Sequence, residues 1–192
     1  MLPDAITRFV EIFSSLPSIG ARQATRMAFV LISRGKAGLH ELARAIADLQ
    51  SLKICSQCFF VHSEQGELCT ICTNPARHHH TIMIVEKETD LISLERPRTF
   101  TGRYLIIGEL KKNGVLESFQ KLRLNQFKDF ITRELGGRAE EIILAMNPTT
   151  YGDLNAAMLT RELRDFAKKI TRLGRGIPTG GEIEFADEDT LG

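Results

Sequence analysis

The sequence predicts a multi-unit α+β fold, with a helical unit first, a four-cysteine segment second and an α/β unit with a mainly parallel sheet last. Apolar residues recur at helical spacing in the first unit, whereas short β-branched runs alternate with helical stretches in the last. All four cysteines fall in two close pairs between these regions. The predicted units are 1–53, 54–77 and 78–173, followed by a C-terminal segment, 174–192, that we expect to contribute an oligomer contact.

Bulk composition is that of an ordinary globular protein. Of 192 residues, 43% are hydrophobic and 26% are charged, which excludes disordered and fibrous classes. No apolar run approaches the roughly 18 residues that span a bilayer, and the start lacks a basic segment followed by an apolar one. We therefore expect a cytoplasmic protein with no membrane partner, whose cysteines stay reduced. A net charge of +1 argues neither for nor against nucleic acid.

The first unit reads as three helices. One apolar stripe begins at Ile6, a second at Ala24 and a third at Leu39, with a break between the first two at Leu16–Gly20. Residues 1–36 carry five Lys or Arg against two Asp or Glu, so this unit is locally basic.

The last unit reads as alternating strands and helices, the pattern of an α/β sheet with crossover helices. The predicted strands are Thr81–Val85, Tyr104–Ile107, Ile142–Ala145 and Ile170–Leu173. The predicted helices are Glu88–Glu95, Asn125–Leu135 and Asp153–Lys169. The run His78–His80 is predicted to lie in the linker before the first strand as solvated residues, with a second metal site as the less favoured alternative.

The cysteine spacing predicts a structural zinc site, one per chain. Two residues separate the cysteines within each pair and ten separate the pairs, so two knuckles can aim four thiolates at one ion. Four cysteines leave no coordination position for water or substrate, so the site should be structural. Buried or redox-active thiols are the alternative, and His62 is a spare ligand candidate. The predicted ligands are Cys55, Cys58, Cys69 and Cys72.

The break between the first two helices, Leu16–Ala24, resembles the helix-hairpin-helix motif, in which a tight turn points backbone N–H groups at a DNA phosphate. Gly20 fills the second glycine position, whereas Ser18 occupies the first, where serine can cap the following helix and donate to phosphate. Arg22 and Arg26 are four residues apart, hence on one helix face. A plain helical hairpin with Leu16 and Ile19 in its core is the alternative. The predicted DNA-binding residues are Ser18, Ile19, Gly20, Arg22 and Arg26.

Glu86 follows the first predicted strand and resembles the first acid of Toprim domains. Catalytic Toprim enzymes add an Asp-x-Asp pair after a later strand and hold magnesium with these acids. Here Asn147 and Thr149 stand at the two aspartate positions, so we expect weak magnesium binding and no catalytic residues. A metal-dependent nuclease or primase-like enzyme, using Glu86 with Glu88 or Asp90, is the alternative. Residues 174–181 lack the lysine of a phosphate loop.

The order of these features, closed by Thr171–Glu182 and the acidic stretch Ile183–Gly192, resembles the bacterial RecR recombination mediators over nearly the whole chain. The resemblance implies a ring-forming homo-oligomer, a dimer or tetramer, that clamps double-stranded, gapped or single-strand-junction DNA. It further implies a partner, RecO, joined in some bacteria by RecF. Together they help load RecA onto single strands coated by SSB, which makes RecA and SSB indirect partners.

The resemblance also assigns roles to individual residues. Arg22 and Arg26 match the basic DNA-contacting positions after the hairpin, and Glu86 and Asp90 match acidic positions implicated in binding RecO. A helix cap or a helix-dipole partner is the alternative role for these two acids. The sequence departs from the family pattern at Gly108–Gly114 and at Tyr151, both in the Toprim-like unit. A purely architectural subunit, whose partner makes all DNA contacts, is a third hypothesis.

Overall fold

The fold is given by a computed structural model that describes residues 2–174, 176–177, 180, 182–185 and 190. The chain divides into two compact units, Met1–Leu52 and Lys53–Gly192. The predicted oligomer contact in segment 174–192 falls largely outside the described residues. Within the described part of the chain, no helix has the length and apolar character needed to cross a membrane.

The first unit is all-helical, as predicted. It contains α1 (Asp4–Phe13), α2 (Ala21–Ser33) and α3 (Gly35–Asp48), followed by a short 3₁₀ turn at Leu49–Ser51. Ala24 and Ala28 on α2 are buried, and the small alanine side chains let α1 approach closely. On α3 no residue is buried, so the apolar stripe that predicted this helix remains on its surface.

The second unit begins with the cysteine segment. Strands β1 (Lys53–Ile54) and β2 (Val61–His62) pair antiparallel, and the one-turn helix α4 (Thr70–Thr73) follows. These short elements have almost no apolar core of their own, because the buried residues packed together here are the four cysteines.

The rest of the second unit is a four-stranded, wholly parallel sheet in the order β4-β3-β5-β6. Its strands are β3 (His78–Val85), β4 (Gly102–Ile106), β5 (Ala139–Ala145) and β6 (Ala167–Arg172). Its helices are α5 (Glu88–Glu95), α6 (Ser118–Glu134) and α7 (Thr150–Leu163), with short 3₁₀ turns at Arg164–Phe166 and Ile183–Phe185.

Side chains alternate between the two faces of the sheet. Ile82 and Ile84 of β3 pack into one core with α6 and α7, whereas Met83 and Val85 pack into a second core with Leu91 of α5. Both faces are therefore covered, and the continuous apolar run in β3 correctly predicted a buried parallel strand.

Three predictions about this unit are corrected. His78–His80 lie inside β3, where the pairing of His78 with Gly102 of β4 extends the strand beyond its apolar run. The predicted helix Asp153–Lys169 stops at Leu163, because residues from Ala167 onward pair with β5 as β6. Helix α6 begins at Ser118, seven residues before its predicted start, in a polar turn where Gln120 accepts a hydrogen bond from the Glu117 N–H at 2.9 Å.

Candidate functional site

The four predicted metal ligands form one buried cluster. Their sulfur atoms all lie within 4.8 Å of one another, and each cysteine is at most 3% exposed. Zinc–sulfur bonds of about 2.3 Å in a tetrahedron place sulfurs about 3.8 Å apart, so this spacing fits one zinc ion. Among the described residues, no other group of three or more metal-ligating side chains is this close together.

Four cysteine thiols this close together cannot all ionise unless a cation balances their negative charge. Hydrogen bonds with Cys58 hold the pKa of Cys55 well below its usual range, while the hydrogen bond with Cys55 and burial raise the pKa of Cys58. The four thiols therefore share protons rather than ionise together. A divalent cation would let all four act as thiolates, which is the chemistry that the donor set fits.

Backbone hydrogen bonds hold each cysteine pair in a tight turn. The Phe59 N–H donates to the Cys55 carbonyl at 3.0 Å, and the Thr73 N–H donates to the Cys69 carbonyl at 3.0 Å. His62, the spare ligand candidate, lies on β2 outside the sulfur cluster, where its Nδ1 accepts from the Glu64 N–H at 3.2 Å. His62 is thus a buried strand residue that makes a local hydrogen bond, not a loop residue.

The cysteine segment is joined to the edge of the parallel sheet. The Ile106 N–H of edge strand β4 donates to the Cys58 carbonyl at 2.9 Å. Arg123 of α6 then donates to the Ile106 carbonyl at 3.0 Å, and its guanidinium lies 4.9 Å from the ring centre of Phe59. The first knuckle thus serves as a cover for part of the β4 edge.

The hairpin between α1 and α2 has the tight turn that the motif requires. The Ile19 N–H donates to the Leu16 carbonyl at 3.2 Å across Pro17 and Ser18, and Ser18 has φ of 64°. Proline at the second position and a positive φ at the third are features of a type II turn. The left-handed residue is therefore Ser18, at the position where the family motif has its first glycine.

Gly20 occupies the N-cap of α2 in an extended conformation, with φ of −88° and no side-chain cap. The expectation that Ser18 caps this helix is therefore wrong, because Ser18 lies two residues earlier in the turn. A Cβ built on Gly20 would meet nothing within 4 Å, so its backbone is open to close approach. Arg22 and Arg26 are both exposed on α2 beyond it.

The chain has a second basic stretch around β6, whose charge is compensated by neighbouring acids, unlike that of the hairpin. Lys168, Lys169 and Arg172 of β6 all form ion pairs with neighbouring acids. Among the described residues, no such pair involves Arg22 or Arg26. The hairpin therefore keeps uncompensated positive charge.

The acid at the carboxyl edge of the sheet is buried. Glu86 is only 8% exposed, and the side chain of Asn147, the neutral residue at the first aspartate position, lies beside it. Burial is the main cause that raises the pKa of Glu86, and the nearby carboxylate of Asp90 raises it further. At this edge the environment therefore disfavours the ionised form of Glu86, which is the form that would bind a metal ion.

The remaining positions of the motif are used to shape helix ends. Thr149 is the N-cap of α7 and accepts a hydrogen bond from the Gly152 N–H at 3.0 Å. Asp90 accepts a hydrogen bond from the Lys87 N–H at 3.0 Å at the start of α5, which fits the helix-cap role considered for it. Asp90 and Asn147 also line an open cavity of about 450 Å³ at this edge.

A tight turn, a closed four-cysteine centre and a parallel sheet with a single buried acid define a protein that combines a helix-hairpin-helix unit with a Toprim-type domain. Family models match in the same order: "RecR, helix-hairpin-helix" over residues 6–49, "Toprim domain" over 80–174 and "RecR, C-terminal" over 176–192.

Curated relatives carry one name, Recombination protein RecR. The protein of a Roseiflexus species is 34% identical over 195 residues, covering 100% of this chain and 92% of the relative. That of Gloeobacter violaceus is 34% identical over 187 residues (97% and 92%), and that of Myxococcus xanthus is 34% identical over 194 residues (100% and 95%). The chain belongs to the RecR family.

Sequence reasoning missed two arginines that attach the cysteine segment to the sheet. Arg123 reaches the first knuckle through Phe59, and Arg103 of β4 donates to the Cys72 carbonyl at 3.0 Å. Each lies more than thirty residues along the chain from its contact, so no local spacing pattern could reveal it.

Proposed function

We propose that this chain is a non-catalytic, DNA-binding recombination mediator that acts with RecO, and with RecF where it is present, to help load RecA on SSB-coated single strands. Membership of the RecR family supports the role in recombination. The observation that carries the DNA-binding part is the hairpin, whose tight turn leads to an open Gly20 backbone and to two exposed arginines.

The hairpin can hold phosphate without reading sequence. The first N–H groups of α2 have no partner within the helix, and Gly20 offers no side chain to obstruct them. Arg22 and Arg26 add positive charge that displaces condensed cations from the DNA phosphates when the protein binds. This combination suits duplex, gapped and junction DNA, because every one of them presents the same phosphates.

Cys55, Cys58, Cys69 and Cys72 would hold one structural zinc ion in each chain. With four thiolate ligands the ion has no open position, so its role would be to hold the two knuckles together. Reduced cysteines of this kind fit a cytoplasmic location.

The carboxyl edge of the sheet supports the non-catalytic assignment. Two of the three Toprim acid positions are the neutral residues Asn147 and Thr149, and the Thr149 side chain caps α7. One buried carboxylate should bind magnesium more weakly than the three acids of a catalytic Toprim site. At the same edge we assign RecO binding to Glu86 and Asp90, with Asp90 making the direct contact because it lines the cavity.

A homo-oligomer, a dimer or a tetramer ring, would bury apolar surface that the helical unit exposes. Phe29, Val30, Ile32, Ile46 and Leu49 are each about half exposed or more. These side chains belong to consecutive helical segments of one small unit, and large exposed apolar patches are typical of interfaces.

Fluorescence anisotropy with gapped and duplex DNA at two salt concentrations tests DNA binding. We expect wild type to bind more weakly at high salt, and Arg22→Ala plus Arg26→Ala to reduce the salt slope by about 1.8, about 0.9 for each lost phosphate contact. Arg8→Ala plus Arg44→Ala is the matched control, since both arginines are exposed on other helices of the same unit. Absent or salt-insensitive binding by wild type would indicate an architectural subunit instead.

A metal-dependent Toprim nuclease or primase-like enzyme is the competing function, and the cavity beside Asp90 and the buried Glu86 is the observation that favours it. Incubation of the full chain with DNA and Mg²⁺ or Mn²⁺ decides between them. We expect no turnover. Turnover that Glu86→Gln abolishes would replace the mediator proposal.

A further inference from the structure

Arg103 on strand β4 contacts both cysteine knuckles at once. One guanidinium nitrogen, Nη1, donates to the side-chain oxygen of Gln57 at 2.9 Å, and Nη2 donates to the Cys72 carbonyl at 3.0 Å. Gln57 lies between the two cysteines of the first knuckle, and Cys72 closes the second. A single side chain of the sheet thus spans the two halves of the metal-binding segment.

The charge of Arg103 is buried without a carboxylate. The residue is 7% exposed, and its other contacts are with His79, whose Nε2 is 3.5 Å away, and with the ring of Phe130 at 5.6 Å. Among the described residues no acid lies within ion-pair distance of it. A buried guanidinium normally has a counter-charge, because removing it from water is costly.

Arg77 provides the internal comparison. It lines the same cavity of about 670 Å³ as Arg103 and is also shielded from solvent, but it forms an ion pair with Glu95. The cysteine segment therefore abuts one arginine that has a protein counter-charge and one that does not.

We infer that Arg103 is a positioning residue for the metal centre, acting both as a clamp across the two knuckles and as the counter-charge of a zinc tetrathiolate. This inference rests on the zinc assignment in the proposed function. Four thiolates and one Zn²⁺ carry a net charge of −2, and Cys72 is one of the four ligands. Hydrogen-bonded groups behind the ligands commonly raise metal affinity in this way.

The clamp joins the metal to the sheet. Arg103 belongs to β4, whose Ile106 N–H already donates to the Cys58 carbonyl. Zinc binding would then draw both knuckles onto the same strand, and the strand in turn would hold the knuckles in the geometry that the ion needs.

Zinc affinity of the full-length protein, measured by competition with a chromophoric chelator, tests the inference. We expect Arg103→Met to weaken zinc binding about 10- to 100-fold. Arg103→Lys keeps the charge but loses the fork that reaches two partners, so its affinity should be intermediate. Arg77→Met, the matched control, should bind zinc like wild type.

Cobalt substitution gives a second readout. The thiolate-to-cobalt absorption of Arg103→Met should shift from that of wild type, whereas that of Arg77→Met should not. If wild type binds no zinc, the zinc assignment fails, and this inference fails with it. If wild type binds zinc and both Arg103 variants bind it with the affinity of wild type, only the Arg103 inference is overturned. If Arg103→Met does not fold, the Arg103→Lys affinity decides the outcome in the same way.

Discussion

The helical unit and the sheet unit bury their apolar residues to very different extents. In the sheet unit, Ile84, Leu105, Ile142 and others have no measurable exposure. In the helical unit, the buried apolar residues are Ile6, Ala24 and Ala28, two of which have the smallest of apolar side chains. The sheet unit is therefore stabilised by its own buried apolar core, whereas the helical unit leaves much of its apolar surface exposed and available for other contacts.

The cysteine segment lies at one extreme of this comparison, because it belongs to the sheet unit but has scarcely any apolar core. We expect Cys58→Ala to lower the free energy of unfolding of the sheet unit by more than about 4 kcal/mol, since it would remove a ligand of the proposed zinc ion that holds the knuckles together. Urea unfolding followed by circular dichroism measures it. Ser56→Ala, at an exposed site in the same knuckle, should change stability by less than about 0.5 kcal/mol. An unfolding midpoint equal to that of wild type in Cys58→Ala would count against a structural metal.

A pair of matched isoleucines contrasts the two units directly. Ile142→Ala in β5 should cost about 2–5 kcal/mol, because it opens a cavity in a fully buried site. Ile46→Ala on α3, where the side chain is 48% exposed, should change the stability of one subunit by less than about 0.5 kcal/mol. It should instead lower the average mass of the proposed oligomer in sedimentation, because it would remove apolar contact between subunits.

Glu41→Ala, at an exposed site on the same helix, is the control for mass. If Ile46→Ala left the mass of a wild-type oligomer unchanged, α3 would not contribute to the oligomer contact.

The burial of Glu86 at the carboxyl edge of the sheet should make the stability of the protein depend on pH. Because burial raises the pKa of Glu86 in the folded state, the protonated form is favoured there, and stability falls as pH rises through that pKa. Glu86→Gln removes this dependence, so it should be more stable than wild type at pH 8 by on the order of 1 kcal/mol, with the difference vanishing toward pH 4. Urea midpoints across this range check it. A stability difference between Glu86→Gln and wild type that grows at low pH would contradict the raised pKa of Glu86.

The smallest effect is expected in the hairpin turn. Ser18→Gly removes the strain of a positive φ but adds freedom to the unfolded chain, so the net gain in stability should stay below about 1 kcal/mol. Thermal unfolding measures it. Ser15→Gly, where φ is not positive, should be destabilising instead. A loss of stability in Ser18→Gly comparable to that in Ser15→Gly would show that the turn does not depend on the left-handed conformation.

Local sequence patterns predicted the structure well where residues close together in the sequence determine it. The apolar run Thr81–Val85 predicted a buried parallel strand, and the paired cysteine spacing predicted the cluster. Prediction failed where distant residues decide. Pairing with neighbouring strands extended β3 back to His78 and ended α7 at Leu163. The contact of Arg103 with Cys72 joins residues 31 positions apart, and no periodicity encodes it.

The two edges of the parallel sheet are protected by different means. Along β6, the exposed Lys168 and Lys169 discourage another strand from pairing, as charges on edge strands commonly do. Along β4, the Ile106 N–H is occupied by the Cys58 carbonyl. Removal of the zinc ion proposed for the cysteine cluster would free that N–H and leave a hydrophobic edge open to a second chain. The proposed metal centre would thus prevent strand-to-strand aggregation at β4. This edge strand lacks an exposed charge of its own, because its one charged residue, Arg103, is buried.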